Sequence, residues 1–211
     1  MAAGKTDHPL ERLVFFSDAV FAIAITLLVI EIHAPHFPRG TSDHDHIAGL
    51  AQLIPAFLGY FISFAVVGNF WMGHHRAFSL ASHYHPRILL WNMGLLCAIA
   101  FMPFATAYLS ANFTQRVPTV FYCVVMFVAA LLNFRVNRLA TSPPMLDERA
   151  DPQAVLYVRV RGLSVLLGAL TAILVAMVLP EYGQIGLASI PLWRPLLMAA
   201  ARRRLRRQAS A

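Results

Sequence analysis

Ser17 and Asp18 stand inside residues 13–30, a run that is otherwise almost wholly apolar. A carboxylate there can hold a partner, attract a cation or pass a proton. It also costs on the order of 2.5–3.5 kcal/mol near a bilayer centre and less near an interface. Two readings follow. Asp18 is a helix-start aspartate at headgroup level, favoured by the helix dipole, or it is a buried polar anchor with a partner on another helix. Other groups able to do chemistry lie further along. Trp71, His74 and His75 close the second apolar run, and Asn92 sits one turn into the third. His33, His36, Asp43, His44, Asp45 and His46 share one loop. Such a cluster could bind zinc or nickel. No pair in it has i, i+4 spacing, and prolines and a glycine separate its groups, so it reads as a solvated, titratable loop and not as a metal site. Cys97 and Cys123 lie within apolar runs and read as small hydrophobes. There is no nucleophile–base pair, no Cys-x-x-Cys-His and no carboxylate pair in one helix, which argues against an enzyme and against a bound cofactor.

The elements that must position these groups are membrane helices. The chain is 58% hydrophobic and 13% charged, against about 25% charged in soluble domains. About 20 apolar residues at ~1.5 Å each cross a hydrocarbon core of roughly 30 Å. On that measure we expect an all-α integral membrane protein, one transmembrane domain over residues 1–211. Its six spans fall near 10–32, 47–76, 88–109, 117–134, 155–179 and 184–201. Pro55 and Pro103 should kink the second and third. The fourth is short, ending at Asn133, Arg135, Asn137 and Arg138, and the sixth is interrupted by Pro191, Arg194 and Pro195. The first run is too long for a secretory signal and lacks a small-x-small cleavage site, so it is expected to be retained.

Arginine and lysine orient these spans. With six crossings, fifteen cations fall on the side of the two termini, and only Arg39 and Arg116 fall on the other. The positive-inside rule then makes both termini cytoplasmic in a multi-pass inner (plasma) membrane protein. The arginines after residue 201 act as an orientation anchor beside lipid, and the net charge of +7 does not point to nucleic acid.

At ~100° per residue, Phe16, Ala19, Ile23, Leu27 and Ile30 share one stripe of the first helix, with Asp18 roughly 140° from Ile23. The stripe can meet lipid, meet another helix, or meet its own copies around an axis.

Arg12, the triplet Phe16-Ser17-Asp18 and the apolar run to Glu31 resemble the signature first helix of the transmembrane-protein-175 family of potassium channels. The resemblance covers some 20 residues and extends to a Trp–His pair at the end of the second span. It implies that Trp71 and His75, one turn apart, pack against Ser17 and Asp18. It aligns Ile23 with the narrowest constriction of the family's pore, serving as gate and selectivity element, and places Ile23, Leu27 and Ile30 in stacked rings. It also points to the Thr26 hydroxyl, since family members differ on whether a threonine layer filters ions. A single Phe-Ser-Asp copy implies a homotetramer, since one such repeat cannot enclose a pore. The permeant species is then a monovalent cation, chiefly potassium, with modest selectivity, because isoleucine rings have no carbonyls to replace hydration. No Thr-Val-Gly-Tyr-Gly filter loop occurs. Glu31 adds negative potential at the outer mouth. The competing reading is a secondary transporter or proton-coupled carrier that uses Asp18 and His75 as a relay; such carriers usually show internal repeats, and none is seen here.

Overall fold

In a computed structural model of the chain, residues 8–209 are described. Lys5, counted above among the orienting cations, lies outside them, as do the side chains of Arg204, Arg206 and Arg207. The fold is helical: α1 His8–Ile30, α2 Asp43–Gln52, α3 Ile54–Phe78, α4 Arg87–Ala100, α5 Met102–Ala111, α6 Arg116–Ala140, α7 Pro152–Val178, a 3-10 segment Pro180–Ser189 and α8 Ile190–Ala209. Five stretches are long and apolar enough to cross a membrane: α1, α3, α4 with α5, α6 and α7. The chain is a multi-pass membrane protein.

Four expected spans, the second, third, fourth and sixth, differ in the structure. The second is two helices. Leu53 separates α2 from α3, and Pro55 sits in the first turn of α3, where its missing N–H leaves no bond unmade. The third breaks at Phe101 in the same way, with Pro103 in the first turn of α5. The fourth is longer than expected. α6 continues through Asn133, Arg135, Asn137 and Arg138 to Ala140, because both asparagines point inward and are buried. Arg135 turns outward to lie 5.5 Å from the Trp91 ring. At the end of α6, Arg159 of α7 bonds the Thr141 carbonyl and hydroxyl and the Ser142 hydroxyl. A cation there complements the exposed carbonyls and the helix dipole.

The last expected span, 184–201, is not a single α-helix. Ten residues form a 3-10 segment, and α8 takes over at Ile190. The two run back along α7. Gly183 faces Ala176, Gly186 faces Ala172, Ile190 meets Gly168, and Arg194 lies over the Tyr157 ring at 4.4 Å. A 3-10 helix has 3.0 residues per turn, so Gly183 and Gly186 fall on one edge. α7 presents Gly168, Ala172 and Ala176 to them at helical spacing. The seam is backbone against backbone: a Cβ on Gly186 would lie 2.5 Å from the Ala172 Cα. Gly186→Val should therefore cost about 1–3 kcal/mol by overpacking. It should lower the thermal midpoint of the detergent-solubilised protein, and an unchanged midpoint would refute the close seam.

The interior of one protomer is filled. Tyr122, Phe21, Leu28, Ile88, Leu95, Ile99 and Met102 are fully buried. The Tyr122 hydroxyl is 3.1 Å from Ser63 Oγ, which lies 2.7 Å from Thr106 Oγ1. This chain of hydroxyls ties α3, α5 and α6 together, and the Thr106 hydroxyl also reaches the Met102 carbonyl. Each of these three hydroxyls has a partner, as a low-dielectric interior requires; among the described residues His74 Nδ1, Asn133 Oδ1 and Asn137 Oδ1 are buried without one.

Candidate functional site

α1 has a packed face and a bare one. Leu10, Leu13, Ser17, Phe21, Ala24 and Leu28 are buried at steps of three and four, against α3, α4 and α5. Phe16, Ile23, Leu27 and Ile30 are exposed on the other side. Arg12 is exposed near the start, and Glu31 is exposed just past the end. Thr26 is exposed too, and its hydroxyl donates to the Ile23 carbonyl at 2.9 Å. Its proton is therefore held within the helix, and only its lone pairs face outward.

Behind the bare face lies a polar cluster. Trp71 Nε1 donates to Asp18 Oδ1 at 2.9 Å, joining α3 to α1. Asp18 is half-buried beside Ser17 at the centre of the packed face. The Ser17 hydroxyl donates its one proton to the Leu13 carbonyl at 2.8 Å, so it must accept from Asn92 Nδ2, also at 2.8 Å. That fixes the Asn92 amide. Its oxygen faces His74, whose Nε2 therefore donates across 3.0 Å. His74 is fully buried between Phe78, at 4.4 Å between ring centres, and Phe21, at 5.5 Å. Three helices thus meet at Ser17, Asn92 and His74.

The structure separates the two histidines. His75 is exposed and lies 5.7 Å from the Trp71 ring, and no hydrogen bond joins it to Ser17 or Asp18 among the described residues. From the sequence, His75 is expected against Ser17 and Asp18, with His74 as its possible substitute; in the structure His74 is linked to Ser17, through Asn92. Trp71 and His75 share a face by their i, i+4 spacing, but the buried face of α3 runs through Val67, Phe70, His74 and Ala77. That 3.6-residue recurrence was the available signal for His74. Asn92, which the sequence places one turn into the third span, is the middle of the bridge.

Trp71→Phe keeps the aromatic packing and removes the donor to Asp18. It should cost about 1–2 kcal/mol, because a charge-assisted bond is lost at a half-buried carboxylate that water can partly resolvate. Thermal unfolding in detergent would read this as a lower midpoint. Equal midpoints for the two proteins would mean that the bond contributes nothing.

Asp43, His44, Asp45 and His46, expected in the loop, form the first turn of α2, where His46 packs edge-on against Phe37 at 4.4 Å and His44 is 3.7 Å from Asp45; in the loop, His33 Nδ1 lies 3.0 Å from the Glu31 carbonyl. Among the described residues no three His, Cys, Asp or Glu side chains gather as a metal site.

Comparison with known proteins places this arrangement. The family model described as endosomal/lysosomal potassium channel TMEM175 matches residues 12–103, which hold α1, Trp71, His74 and Asn92. A potassium channel of Chamaesiphon minutus is 34% identical over 148 residues, covering 68% of this chain and 72% of the relative. A potassium channel of Streptomyces collinus is 35% identical over 156 residues, covering 71% and 74%. The crystal structure of a lysosomal potassium-selective channel TMEM175 homolog from Chamaesiphon minutus superposes with a TM-score of 0.73 at 28% identity, over 93% of this chain and 98% of that one. The chain belongs to the TMEM175 family, a family of ion channels and not of enzymes.

Proposed function

We propose that the chain is a potassium-permeable cation channel that works as a homotetramer, with α1 of each copy lining a central pore. The observation that carries this is the division of α1. Phe21, Ala24 and Leu28 are each 1% exposed, whereas Ile23 is 58%, Leu27 39% and Ile30 66% exposed. The protomer interior is filled with side chains, so an ion path runs between copies, and closed rotational symmetry supplies them. Turned inward, Ile23, Leu27 and Ile30 form hydrophobic rings that close by dewetting and, when open, pass a partly hydrated cation. Such rings favour potassium over sodium only modestly, since potassium sheds water more readily; Thr26 lone pairs add a weak polar layer.

The cluster behind the stripe sets the pore's geometry. Asp18 through Trp71, and Ser17 through Asn92 and His74, hold α1 against α3 and α4. A carrier with Asp18 and His75 as a proton relay is not favoured, because Asp18 is engaged by Trp71 and the exposed His75 makes no bond to it among the described residues.

We count the 3-10 segment with the first turns of α8 as a sixth crossing. At ~2.0 Å per residue its ten residues cover roughly 20 Å, and the first turns of α8 add the remainder. This supports termini on one side, cytoplasmic by charge, in the inner (plasma) membrane. The permeant ion needs no cofactor beside it.

Purified protein in liposomes under a potassium gradient, and then under a matched sodium gradient, tests the reading. Potassium flux faster than sodium flux, with unitary currents in planar bilayers, is the expected result. Slow saturable exchange without unitary events would overturn it.

A further inference from the structure

Three guanidinium groups gather at the end of the bundle where α3 finishes and α7 begins. Arg76 Nη1 donates to the Tyr157 hydroxyl at 3.0 Å, and its Cζ lies 5.6 Å from that ring's centre. Arg194 of α8 lies over the same ring at 4.4 Å. Arg161, one turn along α7 from Tyr157, reaches across to the Asn69 carbonyl and side-chain oxygen and feels the charges of Arg76 and Arg194. No carboxylate is among the groups that act electrostatically on Arg161. Of the acids nearest in sequence, Asp147 accepts from the Arg149 backbone and Asp151 from the Gln153 backbone, and neither Glu148 nor Glu181 makes an ion pair with these arginines among the described residues. Three like charges drawn together repel one another. One aromatic ring offsets part of that repulsion through cation–π attraction. Each guanidinium has five donors, and the observed bonds use only some of them.

We propose that Arg76, Arg161 and Arg194, arranged around Tyr157, bind the phosphate headgroup of an anionic phospholipid. The planar forks of Arg76 and Arg194 suit bidentate contact with phosphate oxygens, and Arg161 adds charge from behind. A lipid is favoured over a free ion by what flanks the site. Asn69, which Arg161 bonds, and Met72, one turn before Arg76, open a largely apolar groove of about 680 Å³ between α3 and the 3-10 segment, also lined by Ile62, Val66, Ile185 and Ile190, which offers an acyl chain a surface to lie along. Basic pockets between membrane helices are suited to such headgroups. The leaflet, cytoplasmic, follows from the orientation proposed above; the site itself does not depend on it.

Native mass spectrometry of the full-length protein, released from vesicles of equal phosphatidylglycerol and phosphatidylcholine, tests the site. The native chain should retain phosphatidylglycerol at least about tenfold over phosphatidylcholine, as expected for a contact that reads a net negative headgroup. The double variant R76Q/R194Q should lose that preference, a fall of about tenfold, equivalent to about 1.4 kcal/mol. R76K/R194K, which keeps the charges and loses the forks, should fall between the two. R116Q, at the opposite end of the bundle, should match the native chain. Millimolar inorganic phosphate should leave the lipid bound. Equal retention of the two lipids by the native chain would overturn the proposal even if R76Q/R194Q fails to fold. So would an unaltered preference in the folded double variant, or displacement of the lipid by inorganic phosphate. A channel that conducts normally but shows no lipid preference would refute this site and leave the proposed function standing.

Discussion

Planar-bilayer recordings of Ile23→Asn are expected to show a channel that stays open far more often than the native protein and scarcely separates potassium from sodium. Ile23 is exposed on the bare stripe of α1 between Phe16 and Leu27, and fourfold symmetry would convert one exposed side chain into a ring of four. An isoleucine ring gives water and ions no hydrogen bonds, so the constriction empties and blocks conduction without a moving plug. Asparagine has similar bulk and adds a carbonyl and an amide in each copy. The dry state then loses its advantage. If wetting improves by only ~1.4 kcal/mol across the ring, occupancy of the conducting state rises about tenfold. Hydrated sodium passes once the dehydration barrier falls, and the permeability ratio moves toward unity. Thermal unfolding should change little, because the position makes no contact inside the protomer core. Unaltered open probability together with an unaltered permeability ratio would remove Ile23 from the ion path.

Asn92→Ala should have the largest effect on stability. The amide serves two helices at once, donating to Ser17 on α1 and accepting from His74 on α3. Its loss leaves a buried imidazole N–H without an acceptor and empties a side-chain volume in a region with no access to water. Each unsatisfied buried group costs about 1–3 kcal/mol, so the variant should lose about 3 kcal/mol or more. For a chain of this size the thermal midpoint should fall by about 6–12 °C. Asn112 is a fair comparison, because its amide bonds only the Tyr108 carbonyl of its own helix in a half-buried position. Asn112→Ala should cost a fraction of that. The Asn92 variant should also conduct poorly, since α1 would no longer be held in register. If it melts with the native protein and conducts normally, the bridge has no role in shaping α1.

Much of this was visible in the residues alone, and the parts that were not share a cause. Apolar length located α1 and α7 to within a few residues, since a membrane-scale run requires little else. Asp18 signalled a need for a partner through its cost, and Trp71 is placed as that partner. The breaks at Leu53 and Phe101 were read as kinks, because a proline announces an interruption but not whether the helix bends or restarts. α6 appeared too short because Asn and Arg at its end look like a terminus. Only packing distinguishes an inward asparagine such as Asn133 from a solvated one. The exchange of His75 for His74 has the same origin. Neighbouring residues differ by ~100° around a helix, so which one is buried depends on how the helix is rotated in the bundle. That rotation is set by long-range contacts.

The tight coil between α7 and α8 carries a cartographic lesson. A map drawn by tallying greasy stretches stops at five, an odd number, and puts the head and tail of the chain on opposite shores. The three-dimensional trace brings Arg194 level with Tyr157, and the proposed sixth crossing would turn odd into even. On the proposed sixth crossing, a ten-residue passage too stretched and too glycine-dependent to register as a greasy helix decides which compartment a reporter fused to the tail would light up.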